Sequence, residues 1–179
     1  MKKLHFLNKI FWLFMTLSAI AINSYGENPA TTDVGVLIDG TKWATRNIEE
    51  KGLFVFQEHL SGNFYTWEDA QIACPTGWRL PTKEEFESLK NADNTWTTQD
   101  GVAGRILGDG SDTIFLPAIG HIHYKSGRLW QAGAGGYYWS GTPGDESSIA
   151  YSLYFCSGNT GVNTVYRTYG QSVRCVADE

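Results

Sequence analysis

The sequence predicts an α+β domain in which two short helices are followed by a looped antiparallel β-sheet. Two observations support this fold class. Helix signals are confined to residues 66–91, whereas the chain beyond Thr95 is rich in glycine and in short runs of β-branched and aromatic residues. Early helices followed by late strands are typical of the α+β class.

The first 26 residues are predicted to be a cleaved secretory signal peptide. Three lysines precede the apolar run from Ile10 to Ile22, and Ser24 and Gly26 supply small residues near a cleavage site. The run is 13 residues long, shorter than the roughly 20 that a membrane-spanning helix needs. An uncleaved anchor is the alternative. We therefore expect a secreted or cell-surface protein that does not insert into the membrane after cleavage.

Residues 27–33 are predicted to be a flexible lead-in to a single domain that spans residues 34–179. Removing the signal peptide, which has three lysines and no acidic residue, lowers the formal net charge from −5 to −8. Nucleic acid and anionic membranes repel an acidic chain, so neither is an expected partner. Three cysteines in an exported chain leave one unpaired, and three pairings are open at this point.

A β-hairpin is predicted at the start of the domain. Val34 to Ile38 is rich in β-branched residues, and Lys42 to Ile48 can return beside it. Between them, Asp39 and Gly40 form a dipeptide that is typical of tight turns.

Two helices are predicted after the hairpin. Thr66 and Asp69 resemble a capping box, with a helix that runs to about Ala73. Thr82 and Glu85 form the complete capping box of a second helix, which ends near Asn91.

Short strands are predicted for the rest of the chain: Ile114 to Ile122, Tyr137 to Ser140, Ile149 to Phe155, Val162 to Tyr166 and Ser172 to Val176. In the stretch from Ser152 to Cys156, which covers the end of the third strand, Leu153 and Phe155 share one face, and Ser152, Tyr154 and Cys156 share the other. We expect the face with Leu153 to be buried and the other face to point outward, which would leave an exposed thiol.

Five segments resemble the Fibrobacter succinogenes major paralogous domain, a family common in exported proteins of Bacteroidetes. They are residues 39–47, 74–86, 116–120, 136–142 and 172–178. The resemblance implies a C-type-lectin-like fold with its termini close together. It also implies a disulfide between Cys74 and Cys175, which leaves Cys156 free. The sugar-binding triplets of calcium lectins are absent from the sequence, so calcium-dependent sugar binding is not expected.

The stretch from Tyr138 to Val176 also resembles the variable region of proteins that are diversified by retroelements. Variable positions in such regions hold residues that mutation of adenines can produce from asparagine codons. The resemblance implies a ligand-binding set: Ser147, Ser148, Ile149, Ser152, Tyr154, Cys156, Asn159, Asn163, Thr164, Tyr166, Thr168 and Tyr169. Residues 144–172 are rich in Ser, Thr, Gly, Asn and Tyr and poor in charge, which is typical of adaptable paratopes. Exposed hairpins of fixed sequence can have the same composition.

These patterns predict an exported, non-enzymatic domain that presents its C-terminal face to a protein or glycan partner, with no cofactor and no metal. His121 and His123 have the spacing of a zinc-binding pair, but the sequence offers no evident third ligand. No Ser–His–Asp or Cys–His order stands out. The alternative function is a structural subunit of a surface or fimbrial assembly, which would polymerise through sheet edges.

Overall fold

The structure, a computed structural model, describes residues 31–58 and 60–178. The predicted signal peptide and most of the predicted lead-in lie outside these residues. Strands account for 50% of the structure and helices for 9%, so the fold is β-rich. The prediction of an α+β fold with two helices followed by a sheet is therefore wrong, and the C-type-lectin-like fold implied by the resemblance stays a prediction. The physical reason is that strands precede, separate and follow the helices, which are only 4 and 9 residues long.

Thirteen strands and two helices make up the described chain. In chain order they are β1 (Val36–Ile38), β2 (Thr41–Glu50), β3 (Leu53–Phe54), α1 (Trp67–Ala70), β4 (Trp78–Arg79), α2 (Lys83–Asn91), β5 (Asn94–Gln99), β6 (Val102–Asp109), β7 (Asp112–Pro117), β8 (His121–Ile122), β9 (Leu129–Trp130), β10 (Gly135–Pro143), β11 (Ile149–Cys156), β12 (Thr160–Tyr166) and β13 (Arg174–Ala177).

The first and last strands share one five-stranded sheet. β2 pairs antiparallel with β1, β3 and β13, and β13 pairs in turn with β4. The predicted N-terminal hairpin is confirmed, because β1 and β2 pair across a turn at Asp39 and Gly40. The two ends of the described chain are thus held side by side.

Three smaller antiparallel sheets complete the fold: β5–β6–β7, β10–β11–β12 and the two-stranded β8–β9. Sequence analysis missed β5, which is mostly polar, and β6, which two glycines interrupt. It also predicted one strand from Ile114 to Ile122, which the structure divides between β7 and β8. The division includes Gly120, whose φ of 78° lies outside the β region.

Both helices begin where the capping signals predict. The Thr66 side chain accepts a hydrogen bond from the amide of Asp69, and the Thr82 side chain accepts one from the amide of Glu85. Only the second site forms the complete capping box, in which the N3 carboxylate also bonds the N-cap amide. α1 ends at Ala70, sooner than predicted, whereas α2 ends at the predicted residue.

The core consists of two clusters of buried side chains on opposite sides of the central strands. Neighbouring residues of β2, Trp43 and Ala44, belong to different clusters, as do Tyr138 and Trp139 of β10. Successive side chains in a strand point to opposite faces, so β2 and β10 are buried on both sides. The first cluster also takes the apolar face of α2, and the second surrounds the disulfide.

The disulfide between Cys74 and Cys175 is confirmed. Their Cα atoms lie 6.0 Å apart, and the bond joins positions that are separated by 101 residues in sequence. It ties the segment after α1 to β13. Cys156 is the free cysteine of the described chain.

A hydrogen-bond network centred on Arg174 fixes the sheets to one another. This guanidinium is fully buried and donates to Oδ1 of Asn47 (2.9 and 2.8 Å), to the carbonyl of Ala44 (3.0 Å) and to the carbonyl of Phe115 (3.0 Å). Asn47 Nδ2 donates onward to the Tyr138 hydroxyl at 3.3 Å. We call the five-stranded sheet, the disulfide and this network the frame.

Asp33, which the sequence analysis placed in the flexible lead-in, is anchored to the frame. Its carboxylate accepts a hydrogen bond from the Thr45 amide at 3.0 Å and pairs with Arg46 at 3.0 Å. The Asp33 side chain is fully buried. Its ion pair and hydrogen bonds therefore make it a fixed point of the domain.

Candidate functional site

The register of β10, β11 and β12 brings several predicted contact residues to one face of the C-terminal sheet. Tyr137 pairs with Tyr154, and Ser152 pairs with Asn163. Because alternate residues of a strand point to the same side, these side chains share a face. Together with Val165 they line a cavity of about 260 Å³.

A second, smaller cavity adjoins the first, because the two share Tyr137 and Val165. Its volume is about 120 Å³. Backbone hydrogen bonds of 2.8 and 3.0 Å between Ile122 and Gly170 hold β8 beside the loop that precedes β13. This contact brings β8 to the cavity, whose lining residues are His121, Tyr137, Val165, Tyr169 and Gln171.

Aromatic rings cover the surface around both cavities. Trp130 and Tyr166 are 51% and 49% exposed, so this surface is open to solvent. Centroid distances between contacting rings run from 4.4 to 5.5 Å, close to the range of favourable aromatic pairs. We define the aromatic face as the eight rings in these contacts: His121, His123, Tyr124, Trp130, Tyr137, Tyr154, Tyr166 and Tyr169.

The β8–β9 hairpin supplies half of the aromatic face. His123 stacks on Trp130 with centroids 5.0 Å apart and ring planes at 19°. Gly120 permits the tight hairpin, since a Cβ there would lie 2.0 Å from the Trp130 carbonyl oxygen. Gln131 adopts a φ of 58°, which L residues rarely take.

His121 is the buried polar group of the small cavity. The residue is 9% exposed, and its Nδ1 has no hydrogen-bond partner within the described chain. Its ring lies edge-on to Tyr137 (4.4 Å) and Tyr169 (5.2 Å). Burial, and then the nearby His123, lower the pKa of His121. The ring is therefore neutral at pH 7, with one nitrogen that donates a hydrogen bond and one that accepts.

The other titratable groups of the sheet face are also tuned by their surroundings. Burial, followed by the neighbouring Tyr154, raises the pKa of Tyr137 to about 12, so its hydroxyl stays protonated. Hydrogen bonds from the Tyr154 hydroxyl and then from the Gly158 amide lower the pKa of the Cys156 thiol. The face thus presents neutral tyrosines beside one thiol that ionises more readily than usual.

The twelve predicted contact residues fall into three groups. Ser152 is 2% exposed, and its hydroxyl donates to Gln171, so the prediction that Ser152 points outward is wrong. Four others belong to the aromatic face or line a cavity: Tyr154, Asn163, Tyr166 and Tyr169. The remaining seven are exposed or half-buried but line neither cavity: Ser147, Ser148, Ile149, Cys156, Asn159, Thr164 and Thr168.

Sequence analysis missed most of the aromatic face. It considered His121 and His123 only as a zinc pair and gave no binding role to Tyr124, Trp130 or Tyr137. Their clustering in a short segment is visible in the sequence. Their proximity to the C-terminal strands is not, because it depends on the contact that joins β8 to the loop before β13.

Within residues 31–58 and 60–178, no three side chains of His, Cys, Asp or Glu form a group that could hold a metal ion. The two histidines of the β8–β9 hairpin instead contact aromatic rings. Neither helix of the described chain is long and apolar enough to cross a membrane.

Comparison with known proteins identifies the family. The chain has no match among curated proteins and none among solved structures. A family model described as the Fibrobacter succinogenes major domain matches residues 35–177. This range includes both cysteines of the disulfide, the Arg174 network and every ring of the aromatic face. The chain therefore belongs to the Fibrobacter succinogenes major domain family.

Proposed function

We propose that this chain is an exported, non-enzymatic binding domain that uses its aromatic face to contact a protein or glycan partner. The observation that supports this proposal is the connected cluster of eight rings, of which Trp130 and Tyr166 are about half exposed. Exposed clusters of large apolar groups mark interaction sites. Tyrosine and tryptophan are also enriched among the few residues that dominate the binding energy of protein interfaces.

The chemistry of the face suits binding better than catalysis. The Ser126 hydroxyl lies 3.3 Å from Nδ1 of His123, which is a pairing that nucleophilic enzymes use. Here both groups lie on an exposed turn, and Ser126 Oγ also accepts from the Arg128 amide at 3.4 Å. Hydrogen bonding within the turn therefore explains the contact between Ser126 and His123 without a catalytic role. Export is supported by the disulfide, which persists in oxidising compartments.

Diversification by a retroelement remains a prediction for the C-terminal strands. Seven of the proposed positions have exposed side chains, whereas Ser152 is buried and hydrogen-bonded. A variable position needs room for many side chains, so we now leave Ser152 out of the variable set. A neighbouring reverse transcriptase gene and a template repeat with mismatches only at adenines would support diversification. Absence of both would remove it and leave the binding function in place.

A structural subunit of a surface assembly is the second candidate. The observation that favours it is the position of β12, which ends the order β10–β11–β12 and so presents an edge. Edge strands can pair with another chain. Light scattering of the mature protein across concentrations separates the two functions, because an assembly subunit would self-associate and a binding domain would remain a monomer.

The binding function is tested by removing two rings of the aromatic face. We expect the double variant Tyr154→Ala, Tyr166→Ala to lose binding to a panel of immobilised mucin, collagen and fibronectin, without a lower melting temperature. The control is Tyr151→Ala. Tyr151 lies in the same strand as Tyr154 but on the opposite face, where Lys83 sits 4.5 Å from its ring. Equal binding by wild type and the double variant, or no binding to any panel member, would overturn the proposal.

A further inference from the structure

We propose that the ligand of the aromatic face is a neutral glycan, and that the cavity between His121, Tyr137 and Tyr169 holds one of its sugar rings. This inference rests on the proposed binding function and names the ligand class. It is carried by the cavity, by the incompletely hydrogen-bonded histidine that lines it and by the absence of charge on its walls.

The unpartnered nitrogen calls for a ligand that forms hydrogen bonds. More than nine-tenths of His121 is buried, and its Nδ1 lacks a partner within the described chain. A buried polar atom without a partner destabilises a fold, so such atoms are rare unless something else satisfies them. Nδ1 itself is not exposed to the empty cavity, but the His121 ring lines the cavity, so a hydroxyl group that enters and turns the ring can supply the missing hydrogen bond.

The walls of the cavity suit a ring that has both C–H and O–H groups. Tyr137 and Tyr169 stand on either side of His121, with centroids 4.4 and 5.2 Å from its own. The negative face of an aromatic ring attracts weakly positive C–H groups, which a sugar ring presents on its flat sides. A purely apolar ligand would bury against the same walls but leave the His121 nitrogen unpaired.

The walls also carry no formal charge. The described residues that line the two cavities are His121, Tyr137, Ser152, Tyr154, Asn163, Val165, Tyr169 and Gln171. None is an arginine, lysine, aspartate or glutamate, and the histidine is neutral at pH 7. A phosphate, sulfate or carboxylate in this site would lose its hydration without gaining a counter-charge, which is costly. The lining therefore favours hydroxyl groups over ionised ones.

The geometry favours a glycan over an extended peptide. Peptides that add to a sheet use the free N–H and C=O groups of an edge strand. The larger cavity instead lies on the face of the sheet, since Tyr137, Tyr154 and Asn163 come from three neighbouring strands. A sheet face offers side chains rather than backbone. Taken together, cavities of about 120 and 260 Å³ reach the lower end of the roughly 300–1,000 Å³ found for small-ligand sites.

The first experiment tests the ligand class with mucin and its released glycans. The mature wild-type protein is titrated against native mucin, chemically deglycosylated mucin, and neutral and acidic oligosaccharide pools released from the same mucin. We expect deglycosylation to abolish binding, and the neutral pool to compete at least tenfold better than the acidic pool. Binding that survives deglycosylation, preference for the acidic pool, or failure of the neutral pool to compete would each overturn the inference.

The second experiment tests the subsite through His121→Phe, which keeps a ring of similar size but removes Nδ1. Loss of one hydrogen bond should weaken binding of the neutral pool about tenfold. The matched control is Tyr151→Phe, which removes a polar group from a ring on the opposite face of the sheet and should bind as wild type does. Unchanged affinity in folded His121→Phe would exclude this cavity as the subsite.

The outcomes separate this inference from the proposed function. If the Tyr154→Ala, Tyr166→Ala variant loses binding but deglycosylated mucin is bound as well as native mucin, the binding function stands and its partner is a protein. If that variant binds as wild type does, both proposals fail.

Discussion

The frame and the aromatic face each bury a basic side chain, but they differ in whether its hydrogen bonds are satisfied by the protein. In the frame, Arg174 is fully buried and donates four hydrogen bonds, all to oxygens of the protein. In the aromatic face, His121 is almost as deeply buried, but its Nδ1 has no partner in the described chain. The Arg174 network joins four strands, whereas the His121 nitrogen is left at a cavity.

On the proposed binding function, this difference separates structural burial from functional burial. A polar group that holds sheets together must have its bonds satisfied within the chain, because each unmade bond costs stability. A polar group that binds a ligand must instead have a hydrogen-bonding atom without a partner in the protein. The frame should therefore respond to mutation through stability, and the aromatic face should respond through binding.

The largest effect is expected from removing the disulfide of the frame. In the chain-entropy account, a bond across 101 residues stabilises the fold by about 4–5 kcal/mol. We expect Cys74→Ala with Cys175→Ala to lower the free energy of unfolding by about that amount, as measured by urea denaturation. The control is Cys156→Ala, because Cys156 is unpaired and half-buried. A loss as large in the control as in the double variant would contradict the prediction.

The next effect is expected from Arg174→Met, which keeps the length of the side chain but removes the guanidinium. The oxygens of Asn47, Ala44 and Phe115 would then be buried without their donor. We expect the free energy of unfolding to fall by about 3–4 kcal/mol, as measured by urea denaturation. Arg128→Met is the matched control, because Arg128 is exposed and should change stability by less than about 0.5 kcal/mol. Equal stability of the two variants would mean that the network does not hold the frame.

More of the frame than of the aromatic face could be predicted from the sequence, and the reasons are physical. Local signals set its elements: the turn at Asp39 and Gly40 and the capping box at Thr82 act over a few residues. The disulfide pairing came from family resemblance and not from spacing. The fold class was wrong because polar β5 and glycine-interrupted β6 lack the apolar alternation that marks a strand. β5 forms by pairing with β6, and β6 by pairing with β5 and β7, which is a tertiary effect.

The aromatic face was only partly predictable. Tyr154, Tyr166 and Tyr169 were in the set implied by the resemblance to diversified variable regions, and they also lie in one polar, tyrosine-rich stretch. The β8–β9 hairpin reaches them through hydrogen bonds between Ile122 and Gly170, which are far apart in sequence. Alternation also failed at Ser152, whose position in β11 suggested exposure. On that side of the strand, the Ser152 hydroxyl donates a hydrogen bond to Gln171. A local sequence pattern cannot predict this contact between different segments.

The smallest effect, and the sharpest test of the comparison, is the stability of His121→Phe. Since Nδ1 has no partner to lose, we expect the free energy of unfolding at pH 7.5 to stay the same or to rise by up to about 1 kcal/mol. A fall comparable to that of Arg174→Met would show that His121 is a structural residue with a bond in the folded protein.

The same variant should also change how stability depends on pH. Burial, with His123 next, lowers the pKa of His121 from 6.5 in the folded protein, while Tyr137 and Tyr169 face the ring without charge. The unfolded chain then binds more protons than the folded one as pH falls below about 6.5, so this histidine makes the wild type lose stability toward acid pH. His121→Phe lacks this histidine's contribution to the pH dependence of stability, and the contributions of the other titrating groups are the same in the two proteins. Urea denaturation at pH 7.5 and 5.5 should therefore show a smaller loss in the variant. Equal losses would mean that His121 takes up its proton as readily in the folded protein as in water. That result would contradict a buried His121 nitrogen left without a partner.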